Sequence, residues 1–130
     1  KTVVSAVLAK SLRLSDEICY WKPIQTGIEE DDDTKTVKDL AELSDEEIFD
    51  EGFRLEKPLS PHLSARLANV EIRVDKTVNF LQKANHDKYF IVEGAGGILV
   101  PLNETELMID LMKALNLPVI VVARSGLGTI

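Results

Sequence analysis

The sequence YFIVEGAGG, residues 89–97, decides the fold class of this chain. A run of aromatic and β-branched residues reaches one acid, Glu93, and then four small residues of which three are glycine. This pattern predicts a buried strand that carries Glu93 to its carboxyl end, where glycines let the backbone approach a ligand. Open α/β sheets bind their ligands at that edge. Taken alone, the same pattern also fits a strand that ends in solvent at an ordinary turn.

Two other segments complete the predicted sheet. Residues 17–21 (EICYW) form a short apolar strand, and residues 117–123 (LPVIVVA) have the β-branched pattern of a strand covered on both faces. Helical spacings of apolar residues lie between these strands, which predicts a doubly wound α/β fold with a mostly parallel sheet flanked by helices. We expect residues 1–130 to form a single α/β nucleotide-binding domain that is incomplete at both termini.

Three of the five predicted helices have apolar faces that can be compared with the structure in detail. The first begins at Lys1, the second at the N-cap Ser60, and the third after a capping box formed by Asn103 and Glu106. Residues 44–59 have no sustained period and are predicted to be a surface connection. The expected apolar faces consist of Val4, Val7, Leu8 and Leu12 in the first helix, Leu63 and Leu67 in the second, and Met108, Leu111, Met112 and Leu115 in the third.

Composition restricts the classes of partner. Fifteen basic and twenty-two acidic residues give a net charge of −7, and no basic stripe is present, so nucleic acid is not an expected partner. Cys19 is the single cysteine, which rules out an intramolecular disulfide and suits a reducing compartment. The sequence has no apolar span of membrane length, and we expect a cytoplasmic protein with no membrane partner. His62 and His86 lie in separate polar segments, where neither has a metal-binding partner.

Polar residues at several predicted element ends point to a phosphate site. Lys1 and Thr2 open a helix, as in the second half of the phosphate loop G-x-x-x-x-G-K-[ST] of P-loop NTPases. Pro23 ends the predicted strand at residues 17–21 and holds Lys22 in an extended conformation at the carboxyl end of that strand. The acidic run at residues 29–33 (EEDDD) precedes a helix, so its acids fit either an N-cap or a hard-cation ligand.

These groups belong at one edge if the sheet is parallel. A single magnesium nucleotide there would contact Lys1, Thr2, Asp33 and Glu93 together.

The motifs, in their order and spacing, resemble dethiobiotin synthetase over essentially the whole chain. The most specific blocks are KPIQTG at residues 22–27 and VEGAGG at residues 92–97. Shorter matches are KTV (1–3), DT (33–34), SPH (60–62), VPL (100–102) and LPVIVV (117–122).

The resemblance implies an ATP-dependent ligase that requires Mg²⁺ and works as a homodimer. In that family 7,8-diaminopelargonate takes up CO₂ as a carbamate, ATP phosphorylates the carbamate, and the second amine closes a cyclic urea. Asp31 and Asp32 compete with Asp33 for the metal, and Asp33 is preferred because Thr34 follows it. The family's adenine and cross-dimer substrate contacts are expected beyond Ile130. The roles implied here are Mg²⁺ ligation by Thr2, Asp33 and Glu93, ATP contacts by the same residues and Lys1, γ-phosphate and carbamate contacts by Lys1 and Lys22, and substrate contacts by Thr26 and Gly96.

Two rival functions share this fold. An amide ligase acting on a corrin carboxylate would carry a glutamine-hydrolysing domain with a catalytic cysteine, and Cys19 within a strand does not fit that role. A partitioning-type ATPase, which switches conformation and binds partners, would have an additional lysine early in its loop and no Lys-Pro pair at a strand end.

Overall fold

The computed structural model describes residues 1–84, 87–123 and 125–126. These residues contain five α-helices and five strands, together with short 3₁₀ turns at Asp45–Glu47 and Leu81–Lys83. The helices are α1 (Thr2–Leu12), α2 (Asp33–Ala41), α3 (Pro61–Leu67), α4 (Val74–Phe80) and α5 (Met108–Leu115). The strands are β1 (Ile18–Trp21), β2 (Ile24–Thr26), β3 (Ile48–Phe49), β4 (Phe53–Leu55) and β5 (Tyr89–Val92).

Strands β3, β1 and β5 form a parallel sheet in that order. The register places Trp21 of β1 opposite Val92 of β5. Lys22 and Glu93 follow these two residues, so both side chains leave the sheet at the same carboxyl edge. The predicted α/β class with a mostly parallel sheet is confirmed, and the strand that ends before Lys22 lies directly beside the strand that ends before Glu93.

The chain bends at Lys22 and Pro23, between strands β1 and β2. As predicted, β1 ends before Pro23, but the chain then resumes as β2, which pairs in parallel with β4. The Phe53 amide donates to the Pro23 carbonyl at 2.8 Å. Gly52 has a φ of +146°, and a Cβ there would collide with that carbonyl, so only glycine fits. The predicted surface connection at residues 44–59 is therefore wrong, because these short strands are stabilised by a distant partner and have no period of their own.

Helix α1 packs through a different face from the one predicted. Its buried residues are Ser5, Ala6 and Ala9, whereas Val4 and Val7 are exposed. The small side chains let the helix pack closely against α2, and Ala6 and Ala9 share a core cluster with Tyr20 of β1 and with residues of α2. Close approach of backbones thus decided the buried face, rather than the size of the apolar side chains.

Helix α3 also departs from its predicted face. Leu63 and Leu67 are 40% and 63% exposed, and the helix buries Pro61, Ser64 and Ala65 instead. Pro61 occupies the first turn as expected, although the Ser60 side chain makes no cap hydrogen bond.

Helix α5 begins later than the predicted capping box. Asn103 Oδ1 accepts from the Glu106 amide at 2.9 Å and caps a turn, and the helix starts at Met108. Its true capping group is Asp110, which accepts from the Leu107 amide at 2.9 Å. The predicted apolar face is confirmed: Met108 and Leu111 are buried, and Met112 and Leu115 pack against the same core cluster.

The predicted strand at residues 117–123 is not observed in the part of the chain that the structure describes. The segment belongs to no sheet, and Val121 is 80% exposed. A cavity of about 240 Å³ lies between this segment, β5 and α1, lined by Pro118, Ile120 and Val122 among others. A strand needs a hydrogen-bonded neighbour, and the cavity separates this segment from β5. On this open side β5 is only partly covered, so the prediction that it is buried is also wrong.

Among the described residues, no helix combines the length and the apolar character that crossing a membrane requires.

Candidate active site

A cavity of about 230 Å³ opens at the carboxyl edge of β1 and β5. Every residue that the sequence assigned to the site lines this cavity, although the helix, strands and loops that supply them are far apart in the chain. Two further lining residues, Gln25 and Ala95, were not predicted. The complete lining is Lys1, Thr2, Lys22, Gln25, Thr26, Asp33, Glu93, Ala95 and Gly96.

Four side chains form a connected polar cluster on the cavity floor. The Thr2 hydroxyl lies 2.7 Å from Asp33 Oδ1 and 3.2 Å from Glu93 Oε1. Lys22 Nζ donates to Asp33 Oδ2 and, at 3.1 Å, to Glu93 Oε1. The Lys22 and Glu93 side chains are only 4% and 3% exposed, so this ion pair is shielded from solvent. Buried charges require such partners, because isolated burial would be strongly unfavourable.

The first turn of α2 distinguishes Asp33, which reaches this cluster, from its neighbour Asp32. Asp32 is the N-cap, and its Oδ1 accepts from the amides of Thr34 at 2.9 Å and Lys35 at 3.2 Å. Asp33 is the next residue, and its side chain turns toward Thr2 and Lys22. Asp32 is therefore engaged in capping while Asp33 lines the cavity.

The Asp33 carboxylate is held in its ionised form. Burial alone would raise the pKa of Asp33, but hydrogen bonds from Lys22 and Thr2 outweigh that effect and lower it. The cluster thus offers an ionised carboxylate next to a hydroxyl oxygen and a second, deeply buried carboxylate.

The two oxygens of Glu93 have different surroundings. Oε1 faces Thr2 and Lys22, whereas Oε2 accepts from Ser5 Oγ at 2.6 Å and from the Tyr20 hydroxyl at 3.2 Å. Burial and the nearby Glu93 charge raise the pKa of Tyr20, so its phenol keeps the proton that it donates. The sequence analysis missed both residues. The sequence offered one signal for each residue: Ser5 is a polar residue among the apolar residues of a predicted helix, and Tyr20 carries a hydroxyl within a predicted strand.

Lys1 joins the start of α1 to the loop after β5. Its Nζ donates to the Gly96 carbonyl. Burial and the neighbouring Lys22 lower the pKa of Lys1, and the carboxylates of Glu93 and Asp33 oppose that shift. Gly96 has a φ of +66°, and a Cβ there would collide with the Val100 side chain, so this loop conformation requires glycine.

Gln25 holds the acidic turn against β2. Its Nε2 donates to the carbonyls of Thr26 at 2.8 Å and Asp31 at 3.1 Å. The side chain is buried, and Oε1 has no hydrogen-bond partner among the described residues. The sequence block around Thr26 pointed to this loop, but no periodicity separated Gln25 from its neighbours.

The donor set suits a hard cation and an anionic ligand. Thr2, Asp33 and Glu93 present oxygen atoms only, and Mg²⁺ takes one or two carboxylates together with phosphate oxygens and water. Lys1 and Lys22 add two ammonium groups at the same cavity. In the described part of the chain no group of three or more His, Cys, Asp or Glu residues forms an all-protein metal cage. His86, which the sequence excluded as a ligand, lies outside the described residues.

The parallel sheet and the Lys-Thr helix start at its carboxyl edge define a protein of the P-loop NTPase-like α/β class. A family model described as "AAA domain" matches residues 1–130, and the chain belongs to that family. The chain is 45% identical over all 130 residues to proteins named ATP-dependent dethiobiotin synthetase BioD from Brucella ovis, Brucella canis and Brucella abortus. It spans 58% of the length of each of these relatives. The predicted resemblance to dethiobiotin synthetase is thereby confirmed.

Proposed function

We propose that the full-length protein is an ATP-dependent ligase that makes dethiobiotin from 7,8-diaminopelargonate, CO₂ and ATP. The observation that carries this proposal is the cavity floor, where Lys22 bridges Asp33 and Glu93 beside Thr2. The names of relatives that are 45% identical over the whole chain support the same activity.

Two fixed cations match the charge problem of this reaction. A carbamate oxygen must attack the γ-phosphorus of ATP, and both reactants are anions. Lys22 follows a strand end and Lys1 precedes a helix, and both line the cavity, so two positive charges are fixed there by the fold. We assign both lysines to contacts with the γ-phosphate and the carbamate.

The residues present fit Mg²⁺, which in phosphoryl transfer neutralises charge on the transferred group. Thr2, Asp33 and Glu93 would hold it, since their oxygens already lie within hydrogen-bonding distance of one another through the Thr2 hydroxyl. These three residues come from α1, α2 and the end of β5 and line the same cavity as both lysines, which supports a role in holding a cation there.

The remaining steps need no side-chain nucleophile. Attack of the carbamate oxygen releases ADP and leaves a carbamic–phosphoric anhydride. The second amine then attacks the carbonyl carbon, phosphate leaves, and the amine loses its proton as the urea ring closes. The protein contributes alignment, and we assign Thr26 and the Gly96 backbone to the diamine, because both border the cavity next to the lysines.

The decisive experiment incubates the full-length protein with ATP, Mg²⁺, bicarbonate and diaminopelargonate. We expect dethiobiotin by mass spectrometry and ADP release that depends on the diamine. ADP release at the same rate without the diamine, and no dethiobiotin, would refute the ligase and favour the partitioning-type switch. Cys19 does not support the amide-ligase alternative as a catalytic cysteine, because it is 5% exposed within β1 and its pKa is raised by burial.

We also propose a homodimer and a cytoplasmic location for the full-length protein. Sedimentation of the full-length protein tests the first, with a monomeric mass as the contradicting result. Fractionation of cells tests the second.

A further inference from the structure

We infer that Ser5 and Tyr20 are positioning residues that set the orientation of the Glu93 carboxylate and so present Oε1 to the cation of the site. This inference rests on the proposed function only for the identity of that cation. Neither residue lines the catalytic cavity, so both act through Glu93 rather than on substrate.

The two carboxylate oxygens of Glu93 have different hydrogen-bond partners. Oε2 accepts from Ser5 at 2.6 Å and from Tyr20 at 3.2 Å, and Oε1 is left to Thr2 and Lys22. The terminal torsion of a glutamate is broad and roughly two-fold, so the side chain itself does not select an orientation. Two hydroxyl donors on one oxygen select it, because rotation of the carboxylate would break both hydrogen bonds.

The donors themselves are held in place by the fold. Tyr20 is fully buried in β1 and belongs to the same core cluster as Ala6 and Ala9 of α1. Ser5 lies on the buried face of the same helix, one residue before Ala6. The hydroxyls therefore come from two rigid elements that meet behind Glu93.

The chemistry of the donors also fits this role. A hydroxyl donates to an ionised carboxylate through a short, charge-assisted hydrogen bond, and the Ser5 contact has that length. Both donors are neutral, so they orient Glu93 without cancelling the negative charge that Oε1 offers. Residues behind a metal ligand have this effect elsewhere, where their loss weakens metal affinity or activity by about tenfold to a hundredfold.

The test measures divalent-cation binding directly in the full-length protein. Mn²⁺ is the probe, titrated in the presence of ADP and followed by electron paramagnetic resonance. We expect Tyr20→Phe and Ser5→Ala each to weaken Mn²⁺ binding by about tenfold, with the larger loss for Ser5, which makes the shorter contact. Tyr89→Phe and Ser11→Ala are the matched controls, since Tyr89 is 65% exposed on β5 and Ser11 is exposed on α1.

Kinetics and a double-mutant cycle separate positioning from a general structural effect. The Mg²⁺ concentration for half-maximal rate should rise in both variants while kcat at saturating Mg²⁺ stays within about threefold, because excess metal restores occupancy. In a Glu93→Gln background, Tyr20→Phe should cause no further loss of Mn²⁺ affinity. Urea unfolding identifies a variant that no longer folds. If Tyr20→Phe does not fold, the Mn²⁺ affinity of Ser5→Ala alone tests the inference.

Two outcomes overturn the inference: wild-type Mn²⁺ affinity in folded Ser5→Ala and Tyr20→Phe, or equal losses in these variants and their controls. If the two variants bind Mn²⁺ with ADP more weakly than the wild-type protein and the wild-type protein makes no dethiobiotin, the proposed function fails while the inference stands. If it makes dethiobiotin and the two variants keep wild-type affinity, the inference fails while the function stands.

Discussion

Replacing Lys22 with methionine should show how much of the protein's free energy of unfolding depends on the ammonium group of this residue. Lys22→Met keeps most of the unbranched stem and leaves Asp33 and Glu93 without their shared cation. At the observed 3.1 Å to Glu93 and an effective dielectric constant of about 20, the lost Coulomb attraction is about 5 kcal/mol. Loss of one partner from a buried ion pair typically costs about 3–5 kcal/mol, which agrees with that figure.

The assay is urea unfolding of the full-length protein in a metal chelator, with the free energy of unfolding taken from the transition. Lys35→Met is the matched control, since Lys35 pairs with Asp39 on the exposed side of α2 and should lose less than about 1 kcal/mol. Adding Mg²⁺ should stabilise Lys22→Met more than the wild-type protein, because a cation at the carboxylates replaces the missing ammonium group.

A second substitution makes the reasoning refutable. Glu93→Gln removes one of the charges that Lys22→Met leaves unpaired, so the double variant should regain several kcal/mol relative to the sum of the single losses. Two results would show that the buried ion pair does not couple these residues. One is a loss of unfolding free energy in Lys22→Met no larger than that in Lys35→Met. The other is that the losses of the two single variants add within about 0.5 kcal/mol in the double variant.

Three other predictions follow from the same site and its surroundings. Glu93→Ala should reduce diamine-dependent ADP release by at least about a hundredfold, the scale for losing a fixed electrostatic contact, and near-normal release would contradict its assignment. The lowered pKa of Asp33 stabilises the folded state above the unfolded value near 3.9, and this contribution disappears as the pH falls through the lower folded value. Asp33→Asn should therefore flatten the acid limb of a urea-unfolding profile as the pH falls below the unfolded value, and an unchanged limb would mean that the carboxylate is not held ionised. Cys19 is buried with a raised pKa, so Ellman's reagent should label it only on unfolding, and rapid labelling of the native protein would contradict its placement in β1.

Sequence reasoning located the site because its residues lie where strands and helices end. Pro23 and the glycines after Glu93 mark two strand ends without reference to the rest of the chain, and a parallel sheet brings such ends to one edge. Motif spacing added Lys1, Thr2 and Asp33, and all of them line the same cavity. Their chemical roles stay predictions.

Sequence reasoning failed where distant contacts outweighed local pattern. Residues 44–59 form β3 and β4 because β1 and β2 pair with them, and this partnership leaves no period in so short a segment. Residues 117–123 show the converse, since a β-branched pattern alone does not make a strand without a neighbour. In α1 the buried face follows Ala6 and Ala9, whose small size permits close packing, and not the larger Val7.

The sequence by itself determined the α/β class and the residue types at the site, because strand ends, glycines and prolines act locally on the backbone. Only the tertiary structure decided which acid of the run faces the site, through the N-cap hydrogen bonds that engage Asp32 and release Asp33. It also decided how Glu93 is oriented, because its hydroxyl partners Ser5 and Tyr20 are 88 and 73 residues away in the chain. Contacts across such separations depend on the packing of α1 against β1 and β5, which no local pattern encodes.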